Sequence, residues 1–236
     1  MLRHAVPIVA HFDWALAITF AAPAAAVARL AAPGLSLDTF KDRGFLAVAC
    51  VATRRLRPRG LPPSLGLNFF LVGYRVFVRF DSASGHRYRG LQILGSETDR
   101  WTMAIAGGLF THYAYRKVHA ALRRDGGRIR VTTSSGLDLA VRDEAILPPA
   151  SPFASWDEAR RYAGPMPFTF ASIRGGAAVV RIEGSRQHWE PRPTAIDAAS
   201  VPFLSRLVPE AEPAAAFVVE DVDYAWEPAV VEAARS

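Results

Sequence analysis

Phe69-Phe70-Leu71-Val72-Gly73-Tyr74-Arg75-Val76-Phe77-Val78-Arg79-Phe80 is the longest β-like run in the chain. Aromatic and β-branched residues dominate it, which suits a pleated, packed surface. Arg75, Phe77 and Arg79 alternate with Tyr74, Val76 and Val78, so the two sets point to opposite faces of a strand. Gly73 interrupts the run and predicts a bulge there.

The segments on either side follow the same pattern. Asp81 to Gly85 is a turn, and Arg87 to about Gly95 reads as the next strand. Upstream, Arg54 to Pro63 is basic and rich in Pro and Gly, hence a loop. Before it, Leu35 to Phe40 and Phe45 to Thr53 form a hairpin across Lys41 to Gly44. Trp14 to Ala21 is an apolar strand, and Pro23 opens a short helix, Ala24 to Ala31, that Pro33-Gly34 ends.

Further downstream, Asp99 is placed to cap a helix running to about Phe110. Tyr113–Leu122, Arg128–Thr133 and Leu137–Arg142 read as a meander turning at Asp125-Gly-Gly127 and Ser134-Ser-Gly136. Ser155 and Glu158 make a capping box for a helix over Ser155–Ala163. Strands follow at Phe168–Ile173, Ala178–Glu183 and Phe217–Trp226, with Pro209–Ala216 as a surface loop. The class is mostly β (α+β): an antiparallel cone or barrel with two or three short helices, in one domain over residues 1–236.

Composition narrows the function classes. The 236 residues, half of them apolar, are ample for one core. The formal charge is +6, and all but Lys41 and Lys117 of the 28 basic residues are Arg. That excess is modest for a nucleic-acid binder. The clusters Arg54–Arg59 and Arg123-Arg124 with Arg128 and Arg130 lack interleaved aromatics that would stack bases. Nucleic acid is not expected as a partner. Asp13, Pro23 and Arg29 break the apolar N-terminal stretch, leaving it short of the ~20 residues a membrane span needs. Neither a membrane partner nor a signal peptide is expected. Cys50 is the one cysteine. It excludes an intrachain disulfide, suits a cytoplasmic location, and reads as a small core residue. His112 and His119 fall on opposite strand faces, and His188 and Glu190 lack a third ligand nearby, so no metal and no cofactor is expected.

Five segments, in this order, resemble a known group: Ala32–Phe40, the Arg57-Pro-Arg-Gly-Leu-Pro62 loop, Tyr74–Arg79, Ser96–Asp99 with Leu109–Tyr113, and Val218–Trp226. They are similar to the uncharacterised YqjF-like bacterial proteins of the acetoacetate decarboxylase-like superfamily. The resemblance spans nearly the whole chain and implies a β-rich cone with a central pocket. It also implies a departure from the decarboxylase, which forms a Schiff base through a lysine in a Gly-Phe-Pro-Lys-Lys segment. The matching stretch here is Phe110–Ala114, which puts Tyr113 where that lysine belongs, within a residue either way. A phenol forms no imine.

The candidate residues follow. Arg75 is a clamp for a carboxylate, since its fork engages two oxygens at once; Arg79 is a weaker one, and Tyr115 is a second ligand-binding candidate. Glu97 is a candidate acid or base that could pair with Arg75, and its structural alternative is a first-turn acid before a helix. His112 and Tyr113 are placed to polarise a carbonyl or shuttle a proton. Lys117 is a displaced imine nucleophile, provided that it is desolvated or beside another cation; otherwise it is a solvated strand lysine. If Tyr113–Leu122 is one strand, Tyr113, Tyr115, Lys117 and His119 share a face, opposite Arg116 and Val118. Three readings stay open: a pocket protein for a small anionic or carbonyl-bearing molecule, acting as a lyase or isomerase without an imine; a non-catalytic binding or interaction module; and an imine-forming enzyme using Lys117. Self-association is allowed for in each.

Overall fold

A computed structural model describes residues 6–103 and 115–235. In chain order the first elements are β1 (Ile8–Pro23), α1 (Ala24–Ala28), β2 (Ser36–Leu37), β3 (Thr39–Phe40), β4 (Arg43–Pro58), β5 (Leu67–Asp81) and β6 (Arg87–Thr98). Next come β7 (Tyr115–Lys117), β8 (Ala120–Asp125), β9 (Arg128–Thr133), β10 (Asp138–Arg142), α2 (Trp156–Ala163), β11 (Phe168–Ile173) and β12 (Ala178–Gln187). The last are β13 (Arg192–Pro193), β14 (Ala195–Ser200), α3 (Pro202–Leu207), β15 (Glu212–Trp226) and β16 (Val230–Ala233).

The long strands lie in the order β15-β1-β4-β5-β6-β11-β12, and β12 pairs back onto β15, closing the sheet. Closure removes the open edges that a flat sheet would expose. The closing contact is short, Gly184–Gln187 against Asp223–Trp226; beyond it β12 pairs with β16 and β15 with β13. Pairing is antiparallel except for β6 with β11 and β6 with β7. A second sheet, β14-β10-β9-β8, packs on the inner face. Between the sheets, Leu16, Ile18, Val48, Val76 and Phe80 of the large sheet meet Val131, Leu139 and Val141 of the small one, all buried. The outer face buries Phe45, Ala47 and Phe77 under Phe153 and the Ala159–Ala163 stripe of α2.

Local sequence accounts for most of these elements. Lys41 and Asp42 both take left-handed backbone, φ 49° and 58°. That makes the two-residue primed turn that matches strand twist, and Phe40 pairs with Arg43 across it. The capping box forms: Ser155 Oγ accepts from the Glu158 N–H at 3.2 Å, and Glu158 Oε2 accepts from the Ala154 N–H at 2.6 Å. The far end of α2 is satisfied from outside, with Thr19 Oγ1 donating to the Ala163 carbonyl at 2.9 Å. Arg89 donates to the carbonyls of Arg161 and Tyr162.

Five expectations are corrected. The irregularity in the β5–β6 ladder falls between Tyr74 and Arg75, while Gly73 pairs regularly with Ala49 and Ser96. β4 runs on to Pro58, where a loop was expected, with its register shift between Thr53 and Leu56 around left-handed Arg55. Pro209–Ala216 is no surface loop throughout: β15 begins at Glu212, and Ala214, Ala215 and Ala216 are fully buried. The described part of Tyr113–Leu122 is two strands in two sheets. The chain passes between them at Val118, whose N–H bonds the Thr98 carbonyl at 2.9 Å. Asp99 lengthens the β5–β6 ladder, its Oδ1 accepting from the Phe70 N–H at 2.8 Å. The chain is helical at 101–103, and the rest of that expected helix lies outside the described residues.

Candidate functional site

Glu97 sits near the end of β6 opposite Val72 of β5, on the inner face that Val72 shares with Tyr74 and Cys50. Its side chain is 2% exposed. A carboxylate taken that far from water needs partners, and it has them. Arg116 Nη2 donates to Oε1. Ser135 Oγ donates to Oε2 at 2.8 Å and lies 2.6 Å from Thr133 Oγ1. The guanidinium of Arg116 is itself 56% exposed, so the pair links a buried anion to the surface. The hydrogen bond to Glu97 raises the pKa of Arg116 further, and its cation is permanent.

Tyr74, 2% exposed, completes the cluster. Burial, then the charge and hydrogen bond of Glu97, push its phenol well above the ordinary range. Phe203 stacks on the ring at 4.3 Å between centroids and fills the space above Gly95, where an added Cβ would lie 2.9 Å from the Phe203 ring. Cys50 lies behind, fully buried; desolvation, then Glu97, hold its thiol protonated. Such a thiol is inert.

The arrangement offers a permanent carboxylate partner, a buried carboxylate, and a phenol that keeps its proton. A carboxylate can take a proton, and a neutral phenol can donate a hydrogen bond to a developing oxyanion.

Of the candidates from sequence, Glu97 is at the centre of this cluster. Its partner is Arg116, where Arg75 or a helix dipole had been expected. Arg75 pairs in register with Ala47, and Tyr74 with Val48, so Arg75 stands on the face of β5 opposite Tyr74, over Gly73, with its charge still reaching the Cys50 thiol. Arg79, on that same face, bonds Asp38 at 2.6 Å together with Arg89 at 2.7 Å. Asp38 is buried, so this triad ties β5 and β6 to the β2–β3 link. Tyr115 is half-buried on β7 beside Ser96, and Lys117 is exposed. Alternation along β7 puts both on the face away from Arg116. His119 is exposed. His112 and Tyr113 lie outside the described residues.

Tyr74, Arg116 and Ser135 were not singled out by sequence. One signal was available: Arg116 and the apolar Val118 are two residues apart, on one face of the strand expected over Tyr113–Leu122. Ser135 carries none, since serine in a turn is ordinary.

A cleft of about 310 Å³ opens elsewhere, at the other end of β9, lined by Arg124, Arg128, Arg142, Arg192, Val218 and Glu220 among others. Arg192 bonds Asp143 at 3.0 Å and Glu220 at 2.8 Å, and Arg124 bonds Glu220 at 2.8 Å. Its charges largely answer one another, and it takes no part in the Glu97 cluster. Among the described residues no group of three His, Cys, Asp or Glu is arranged to hold a metal ion.

The closed sheet with a second sheet inside it is the fold of the acetoacetate decarboxylase-like enzymes. The enduracididine biosynthesis enzyme MppR, complexed with the condensation product of pyruvate and imidazole 4-carboxaldehyde, superposes with a TM-score of 0.63 at 11% identity, over 100% of this chain and 92% of that one. An acetoacetate decarboxylase-like enzyme from Sphingomonas wittichii RW1 gives 0.56 at 13%, over 100% and 94%. Acetoacetate decarboxylase from Legionella pneumophila gives 0.58 at 10%, over 96% and 88%. The chain belongs to the DUF2071 family, described as an uncharacterized conserved protein (COG2071), whose model matches residues 10–222. No curated protein matches it.

Proposed function

We propose that the chain is a cytoplasmic small-molecule pocket protein that moves a proton next to a carbonyl without forming an imine. Enolisation, dehydration and decarboxylation are all of this kind. The observation that carries the reading is the Glu97 carboxylate, 2% exposed yet held by Arg116, Ser135 and the Tyr74 cluster. Perturbed titratable groups gathered around one buried charge are characteristic of working sites. In this reading Glu97 is the base, Arg116 pairs with it, and Tyr74 with His112 and Tyr113 supplies hydrogen bonds to the carbonyl oxygen. Small 2-oxo and 3-oxo acids are the ligand class, in keeping with the pyruvate-derived molecule on MppR.

A second reading, a binding module without chemistry, is favoured by the apolar filling between the sheets. The imine reading has less support, because Lys117 is exposed and imine formation needs a neutral amine.

The experiment is a panel of small oxo acids, read by melting temperature and by exchange of α-protons with D2O. Raised melting temperature and exchange, with exchange lost in Glu97→Gln, support the proton-transfer reading. Raised melting temperature without exchange supports the module. If neither appears in folded protein, both fail for these ligands. Borohydride trapping is expected to leave Lys117 unmodified; an adduct absent from Lys117→Ala would restore the imine reading.

A further inference from the structure

Eight large apolar side chains stand exposed among the described residues, and five of them, Val6, Leu61, Leu65, Leu67 and Trp101, gather at one end of the large sheet. The register fixes that end. Ile8 lies opposite both Pro58 and Trp226, Leu56 opposite Leu67, and Leu71 opposite Thr98, three residues before Trp101. Exposure runs from 42% at Leu67 to 64% at Leu65.

The tip that carries the leucines is braced. Arg57 donates to the carbonyls of Leu61 and Arg55 at 2.9 and 2.8 Å, and Asn68 Oδ1 accepts from the Arg55 N–H. Gly66 passes so close to Arg55 that an added Cβ would meet its backbone at 2.5 Å. The leucines are therefore held outward.

The same end is basic. Residues 43–80 contain no Asp or Glu. The nearby acids are engaged: Asp13 by Arg54 at 2.7 Å, Glu227 by Arg59 at 3.3 Å, Asp99 by the Phe70 N–H, and Asp223 and Asp221 by His11 at 3.1 and 3.5 Å. Arg55 and Arg100, both exposed, have no carboxylate partner among the described residues.

We propose that this rim docks the protein on an anionic lipid surface, with Leu61, Leu65 and Trp101 entering the headgroup layer and the arginines meeting lipid phosphates. Trp and Leu flanked by Arg suit that boundary, where apolar side chains and cations are both accommodated. The absence of a spanning segment, from which no membrane partner was expected, does not bear on a surface contact. A second copy of the chain suits the rim less well, because a two-fold contact would set arginines against arginines.

The experiment is co-sedimentation of the full chain with vesicles of phosphatidylcholine alone and of phosphatidylcholine with phosphatidylglycerol. Binding is expected only with phosphatidylglycerol, weakened by 0.5 M salt, with a blue shift in fluorescence that disappears in Trp101→Phe. Leu61→Asp with Leu65→Asp should weaken binding about tenfold or more at unchanged melting temperature, and Arg55→Glu with Arg100→Glu should do the same. No binding at low salt would overturn the proposal. So would binding indifferent to the leucines, which would be charge attraction alone. A dimer in sedimentation velocity that Leu65→Asp dissolves would assign the rim to a second copy instead.

Discussion

Glu97 and Arg116 share one ion pair but unequal surroundings, 2% and 56% exposed, so their replacements should cost unequal amounts. Removing Arg116 strands a buried carboxylate on Ser135 and Tyr74, and stranded charges are expensive. Removing the charge at Glu97 leaves a guanidinium already in water. Arg116→Met is therefore expected to destabilise by about 2–3 kcal/mol and Glu97→Gln by about 1 kcal/mol or less, measured by urea unfolding at neutral pH. Equal costs would mean that Glu97 is solvated and that the site is not built as described. Sequence pointed to Glu97 as an acid or base ahead of the expected helix, with Arg75 as its possible partner. Its partners lie 19 and 38 residues away, and nothing local encodes such a pairing. Asp38 went unnoticed for the same reason: inside an alternating stretch it looks like the solvent-facing member, yet Arg79 and Arg89 bury it.

At the scale of elements, turns and caps were legible because their chemistry is local. The capping box over Ala154–Glu158 forms as its residues require, and Ser155→Ala should cost about 1 kcal/mol, seen as a lowered melting temperature. The β3–β4 turn runs through left-handed backbone at Lys41, which does not favour it, and at Asp42, which tolerates it. Lys41→Asn with Asp42→Gly, the pair this turn prefers, should stabilise by about 0.5–1 kcal/mol. The loss of Lys41's contact with Glu158 at 3.7 Å, between partly exposed groups, offsets little of that. The misreadings have tertiary causes. Tyr113–Leu122 looked like one strand because Val118 keeps the alternation going, yet the chain changes sheets there. Ala214–Ala216 looked like loop because alanine carries no β preference, and burial overrides that, of Ala214 and Ala215 beside Phe217 and Trp156 and of Ala216 between the sheets.

For the whole molecule, the mostly β class followed from alternation, whereas closure of the sheet by β12 on β15 joins residues near 185 and 225 and has no sequence signal. The Glu97 cluster depends on that assembly. Cys50 comes from β4, Tyr74 from β5, Glu97 from β6, Arg116 from β7 and Ser135 from the turn of the inner sheet. It therefore reports whether the two sheets are docked. Cys50 and Tyr74 both keep their protons in the fold, through burial first and then the charge of Glu97. In the unfolded chain they ionise near their ordinary values, 9.0 and 10.0. Above those values the folded state binds more protons than the unfolded one, so stability falls as pH rises. The two groups add no slope below pH 8. From about pH 9 for Cys50 and pH 10 for Tyr74, each should approach a loss of about 1.4 kcal/mol per pH unit. Urea unfolding between pH 8 and 10.5 measures this. Cys50→Val with Tyr74→Phe keeps the packing near its present volume and removes both protons, so its stability should decline less steeply over the same range. If the variant declines as steeply as the parent, the thiol and phenol are not held in the dry interface between the sheets, and Glu97 is not enclosed there either.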